Sequence, residues 1–168
     1  MTEPEALTFP DDGRFPNSML PLLVYRRALP PDPEAMERRF AENGWSNSWR
    51  DGIFDYHHFH SNAHEVLGIA AGTAHVCFGG PSGQVLGVRA GDVVVIPAGV
   101  AHCNKGQSRT LLVVGAYPGG VDYDIRRGDP AEHGEALRNI LRVPLPERDP
   151  VTGGDGPLIR IWQANEPI

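Results

Sequence analysis

The chain has 168 residues, 40% of them hydrophobic, and a formal net charge of -6. At that length one domain is the default expectation, with roughly 70% of the unfolded chain's surface buried on folding. The acidic balance, and basic runs no longer than the pairs Arg26-Arg27, Arg38-Arg39 and Arg126-Arg127, argue against nucleic acid as a partner. The first residues are acidic and no apolar run follows that would serve as a signal peptide or span a bilayer, which argues against a membrane. Cys77 and Cys103 are too few for a disulfide framework or a zinc knuckle. A cytoplasmic protein with reduced thiols is expected.

In chain order, residues 1–19 are polar and broken by Pro10, Gly13 and Pro16, so they predict an extended arm. Leu20–Tyr25 reads as a first strand, its proline tolerable only at a strand start or edge. A helix near 33–43 follows, with Asp32 as cap, Pro33 in the first turn, Met36 and Phe40 on one face and Asn43-Gly44 as the stop. The periodicity then changes to two. Strands are expected at Ile53–His60, Glu65–Ala71, Thr73–Phe78, Gln84–Val88, Val93–Ile96 and Thr110–Tyr117, with Gly/Pro-rich turns between them. Such spacing indicates an all-β fold, a small barrel or jelly roll. A second helix is expected over 130–142, with Leu137, Ile140 and Leu141 as its buried stripe. The tail from Pro144 to Ile168 reads as a packed arm. The barrel core is thus expected over 46–118, flanked by an arm and helix (1–45) and a helix and tail (119–168).

Four of the seven histidines lie between positions 57 and 64, and a fifth, His102, follows the turn-rich segment Gly91–Ala101. Imidazole is the commonest protein ligand for borderline transition metals. On a strand, His58 and His60 share one face, and His57 and Phe59 the other. After the turn Ser61–His64, the Glu65 carboxylate returns to the same pocket, and His102 supplies a fourth ligand from across the barrel. Three neutral imidazoles and a carboxylate suit Fe(II), Mn(II), Ni(II), Co(II) or Zn(II), and on an octahedral ion leave positions open. Any one of these histidines alone is more often a surface or core side chain. Spacing, strand placement and turn pattern together favour the metal.

Gly52-(x5)-His58-x-His60-(x4)-Glu65-(x6)-Gly72 and Gly91-(x5)-Pro97-x-Gly99-(x2)-His102 match the two cupin motifs, and the chain resembles that superfamily. One departure is Gly106, where the second motif usually ends in asparagine; Asn104 lies nearby. Asn43-Gly44-Trp45 through Gly68, Ala90–His102 and Val114–Pro118 are similar to the small bacterial YjlB-like cupins. The resemblance implies a double-stranded β-helix and a metal site of four ligands, and implies no substrate.

Among the remaining residues, His57 and His64 are expected to face away from the metal, His75 away from the barrel interior, and His133 to be solvated. Cys103 is placed at the pocket edge or in inert packing, Asp122 and Asp124 in a loop where the chain leaves the barrel, and Trp45 and Trp49 as a lid or packing wedge. Leu67 and Ile69 are expected to wall the site. No serine sits in a hydrolase motif. One functional reading is a metal-dependent enzyme, a dioxygenase or, lacking an evident general base, less readily an isomerase; a sugar epimerase of the cupin superfamily is weaker still, since the resemblance implies that those lack the full ligand set present here. The other is a non-catalytic sensor or scavenger of a small ligand. The edge strand Leu20–Tyr25 makes a homodimer plausible.

Overall fold

The computed structural model describes residues 3–167; Met1, Thr2 and Ile168, at the ends of the expected arm and tail, lie outside the described residues. The chain runs β1 (Glu5–Phe9), β2 (Ser18–Tyr25), α1 (Pro33–Glu42), β3 (Trp45–Asp51), β4 (Glu65–Ala71), β5 (Thr73–Phe78) and β6 (Gln84–Arg89). It continues through β7 (Val93–Ile96), β8 (His102–Gln107), β9 (Leu112–Pro118), a 3-10 turn (Pro130–Glu132), α2 (His133–Arg142) and α3 (Pro157–Ala164). Every strand pairing is antiparallel. A six-stranded sheet ordered β1-β2-β7-β4-β9-β3 faces a three-stranded sheet ordered β6-β5-β8. This is the jelly-roll architecture that the turn spacing predicts.

The two sheets carry different patterns for a physical reason. In β5, Thr73 and His75 are exposed while Ala74 and Val76 are buried, because only one face meets the core. β2, β4 and β7 instead read as nearly unbroken apolar runs, because their sheet is covered on both faces. Inward, Leu22, Val24, Leu67, Val94 and Val113 meet Ala74, Val76 and Phe78 of the opposing sheet. Outward, Leu23, Val66, Val95, Val114 and Ala116 pack under Met36 and Phe40 of α1 and Leu158 and Trp162 of α3. α1 starts where the sequence places it: the Asp32 carboxylate accepts from the Ala35 N–H, and Pro33 fills the first turn. The helix sits so close to β4 that a Cβ on Gly68 would stand 2.8 Å from Met36 Sδ.

Several expected elements are displaced. Residues 53–60 form no strand; they are a loop that touches its neighbours through isolated bridges, His58 with His102 and Phe59 with Arg126. The strand lies earlier, at β3, where Ser46, Asn47 and Ser48 are exposed on the sheet edge and show no apolar alternation. Asn47 takes a left-handed φ of 58°, within an irregularity between Ser46 and Trp49 that shifts the register. β8 is a second polar edge strand that the pattern does not reveal. The arm contains β1 and the tail contains α3, whose Leu158 and Trp162 are buried. In α2 the expected stripe is shifted: Ala136 is buried and Leu141 is 67% exposed.

Candidate metal centre

His58 and His60 come from the loop before β4, Glu65 opens β4, and His102 opens β8. The loop is tied to the barrel by a reciprocal pair: His58 N–H donates to His102 O at 3.2 Å, and His102 N–H donates to His58 O at 2.9 Å. Local alternation therefore survives without a strand. His58 and His60 line the cavity, while Phe59 packs in a separate cluster with Phe15, and the His57 ring stands 5.8 Å from Phe15.

The three histidines of this cluster are oriented alike. His58 Nδ1 is 3.1 Å from Tyr56 O, His60 Nδ1 2.5 Å from Asp124 O, and His102 Nδ1 3.2 Å from Val100 O. A carbonyl only accepts, so each Nδ1 is assigned the proton and each Nε2 is left with a free lone pair. Backbone carbonyls orient metal-binding imidazoles in the same way. Ligand-capable nitrogens of His58, His60 and His102 lie within 4.8 Å of one another.

Glu65 is buried beside them. Its Oε2 accepts from the Tyr117 hydroxyl at 2.5 Å. Its Oε1 stands 3.4 Å from His60 Nε2 and 3.3 Å from His102 Nε2, yet has no hydrogen-bond partner. A buried carboxylate oxygen left without a partner is costly, and a cation among the rings would remove that cost. Burial alone would raise the Glu65 pKa, but His60, whose own pKa the carboxylate raises against the effect of its burial, and the contacts with His102 outweigh it and hold the carboxyl well below its usual range; a bound cation would take the place of the His60 proton. Burial, reinforced by His102, pushes His58 down to about 3, so its ring is neutral. The donor set of neutral nitrogen and anionic oxygen fits a divalent transition ion.

Above these groups lies a cavity of about 300 Å3, walled by Ile53, Phe54, Leu67, Tyr117, Tyr123 and Ile125. Phe54 and Ile125 are 47% and 46% exposed at its mouth. Arg50 also lines it, with its guanidinium tied to Glu37 at 2.6 Å. Ile69, expected as a wall residue, belongs to the apolar core and does not line the cavity.

The other expectations divide. His64 faces away from the cluster: its Nδ1 accepts from Ala98 N–H, its Nε2 contacts Pro144 O, and its ring lies 4.7 Å from Trp162. Cys103 does not line the pocket. It is buried opposite Cys77 on β5, and burial raises both thiol pKa values, which disfavours reactive thiolates. His133 is not freely solvated but pairs with Asp11 at 2.8 Å. Asp124 does more than cap a loop: its carbonyl orients His60, while its carboxylate accepts from Ser61 N–H and pairs with Arg126. Trp45 is buried packing, whereas Trp49 lines the cavity and donates to Tyr117. The sequence reading missed Tyr117 and Tyr123. The parity of β9, with Val113 and Val114 on opposite faces, was the available pointer to Tyr117.

The chain matches the family described as Cupin over residues 53–117. Protein YjlB of Bacillus subtilis (strain 168) is 48% identical over 161 residues, covering 95% of this chain and 97% of that protein. Among solved structures, a TDP-quinovose 3,4-ketoisomerase from Campylobacter jejuni is 20% identical with a TM-score of 0.42, over 56% of this chain and 75% of that one. An acireductone dioxygenase from Bacillus anthracis, with cadmium in its active center, is 13% identical with a TM-score of 0.40, over 57% and 77%. Both likenesses are too distant to speak to chemistry. No helix among the described residues is long and apolar enough to cross a membrane. The near-complete match to YjlB, together with the two motifs on the jelly roll, makes this chain a member of the cupins and a close relative of YjlB.

Proposed function

We propose that this protein is a metal-dependent enzyme of dioxygenase type, acting on a small polar metabolite, with a divalent ion held by His58, His60, Glu65 and His102. The observation that carries the reading is the shared orientation of the histidines: each Nδ1 lies on a backbone carbonyl and leaves its Nε2 free, with the Nε2 atoms of His60 and His102 beside the unpartnered Glu65 Oε1. An ion bound there would supply Lewis acidity and, if it is Fe(II), the electrons for dioxygen chemistry.

The chain's own contribution is positioning and exclusion of water. Leu67, Ile53 and Phe54 give the cavity an apolar wall, which strengthens the electrostatics at its floor. A volume of about 300 Å3 suits a small metabolite. An isomerase would need a group to move a proton, and the lining offers little beyond the Tyr123 hydroxyl: Arg50 is tied to Glu37, Tyr117 donates to Glu65, and Asp51 accepts from the Gly52 N–H. That same scarcity favours, as a second reading, a non-catalytic cupin that binds a small ligand.

Freshly purified protein is expected to contain about one divalent transition ion per chain by elemental analysis, and chelation is expected to lower its melting temperature. Equal melting temperatures with and without saturating metal would count heavily against the site. In a broad screen of small polar metabolites with Fe(II), oxygen uptake is expected, and it should vanish in His102→Ala. Tight binding without turnover across that screen would hand the case to the binding reading.

A further inference from the structure

Behind the histidines, side chains on three adjacent strands form a single file of hydrogen bonds. Trp49 Nε1–H donates to Tyr117 Oη at 2.8 Å, and Tyr117 O–H donates to Glu65 Oε2 at 2.5 Å. The direction is fixed at both ends: an indole N–H only donates, an ionised carboxylate only accepts, and the phenol must take from one and give to the other. The geometry is written into the register. Trp49 pairs with Gly115, and a Cβ on Gly115 would clash with the indole at Cε2, Cζ2 and Nε1, so only glycine there lets the ring lie across β9. On its other side the Tyr117 ring is stacked with Tyr123, centroids 4.2 Å apart and planes 21° from parallel.

The file makes the two oxygens of Glu65 unequal. Oε2 is engaged by Tyr117, while Oε1 is buried without a hydrogen bond beside His60 and His102. We propose that Tyr117, itself oriented by Trp49, is a positioning residue that presents Glu65 to the ion through Oε1 alone. This inference rests on the metal reading of the site given above. A carboxylate free to turn can offer either oxygen or both. With Oε2 held, Glu65 would offer Oε1 alone and so occupy less of the space around an ion than a carboxylate offering both oxygens.

The test is Co(II) affinity by titration calorimetry for the full-length wild type, Tyr117→Phe, Trp49→Phe, Glu65→Gln and the Tyr117→Phe/Glu65→Gln pair. The melting temperature of each metal-free protein is recorded alongside. Tyr117→Phe is expected to weaken binding about 10- to 100-fold, the range typical of a partner behind a ligand, and Trp49→Phe to weaken it less. In the Glu65→Gln background, Tyr117→Phe is expected to cost nothing further, since the carboxylate that Tyr117 positions is no longer there to bind the ion. An equal loss in both backgrounds would show a general packing role and overturn the proposal, as would wild-type affinity in Tyr117→Phe. Should Tyr117→Phe fail to fold, Trp49→Phe decides, because it keeps both the phenol and the carboxylate; unchanged affinity there overturns the relay. A wild type that binds no Co(II) overturns the metal reading, and the relay with it.

Discussion

His57 and His58 are neighbours in sequence and opposites in surroundings. His58 lines the cavity, whereas His57 packs toward Phe15 with a buried Nδ1 that has no partner. Replacing His58 by Gln should therefore remove most of the bound metal, and His57→Gln should retain it. The reverse order of metal contents would move the ligand set to the other side of the loop. Tyr25 supports a prediction of another kind. Its hydroxyl donates to Asp149 at 2.5 Å, and burial, then the Asp149 charge, raise its pKa above the ordinary 10.0. A group whose folded pKa is raised adds stability that is complete below its unfolded pKa and is lost as pH climbs beyond it. Stability should accordingly fall above pH of about 10. Tyr25→Phe should make that fall shallower, at a cost of about 1–3 kcal/mol at neutral pH, measured by urea unfolding. A pH profile identical to the wild type would show that Tyr25 ionises as easily folded as unfolded. The cavity-facing histidines were legible because parity along a few residues encodes facing. Asp124 was not, because the atom that orients His60 is a backbone carbonyl, and no residue type advertises that.

The same contrast holds for elements. α1 and the central strands were readable, since a cap, a proline and unbroken apolar runs are local signals. β3 and β8 were not, because an edge strand with polar residues toward water need not alternate in hydrophobicity, and their pairing with β9 and β5 is a long-range fact. The strand expected at 53–60 failed for the complementary reason. Its aromatic and histidine pattern encodes a cavity wall rather than a ladder, and only the His58 and Phe59 bridges remain. α3 hid in a tail rich in proline and glycine, yet Trp162 is fully buried and its Nε1–H donates to Pro21 O at 2.8 Å. Trp162→Ala should cost about 3–5 kcal/mol in thermal or urea unfolding. A loss under about 1 kcal/mol would mean that α3 contributes little to the fold.

For the molecule as a whole, an ion held at the proposed site would be coupled to the barrel through mass action. At a free metal concentration 100 times the dissociation constant, binding only to the folded state adds about 2.7 kcal/mol. For a chain of this size that corresponds to a melting temperature roughly 5–10 °C higher than after chelation. The covering of the six-stranded sheet on both faces has a different consequence, one of timing. Synthesis runs from the N-terminus, and α3 is made after every strand it covers. On the ribosome, a nascent chain that has already formed its strands presents the outer face of β2, with Leu23, to water until residues 157–164 emerge and fold back. During that interval the sheet is sticky, and its completion belongs to the last helix made.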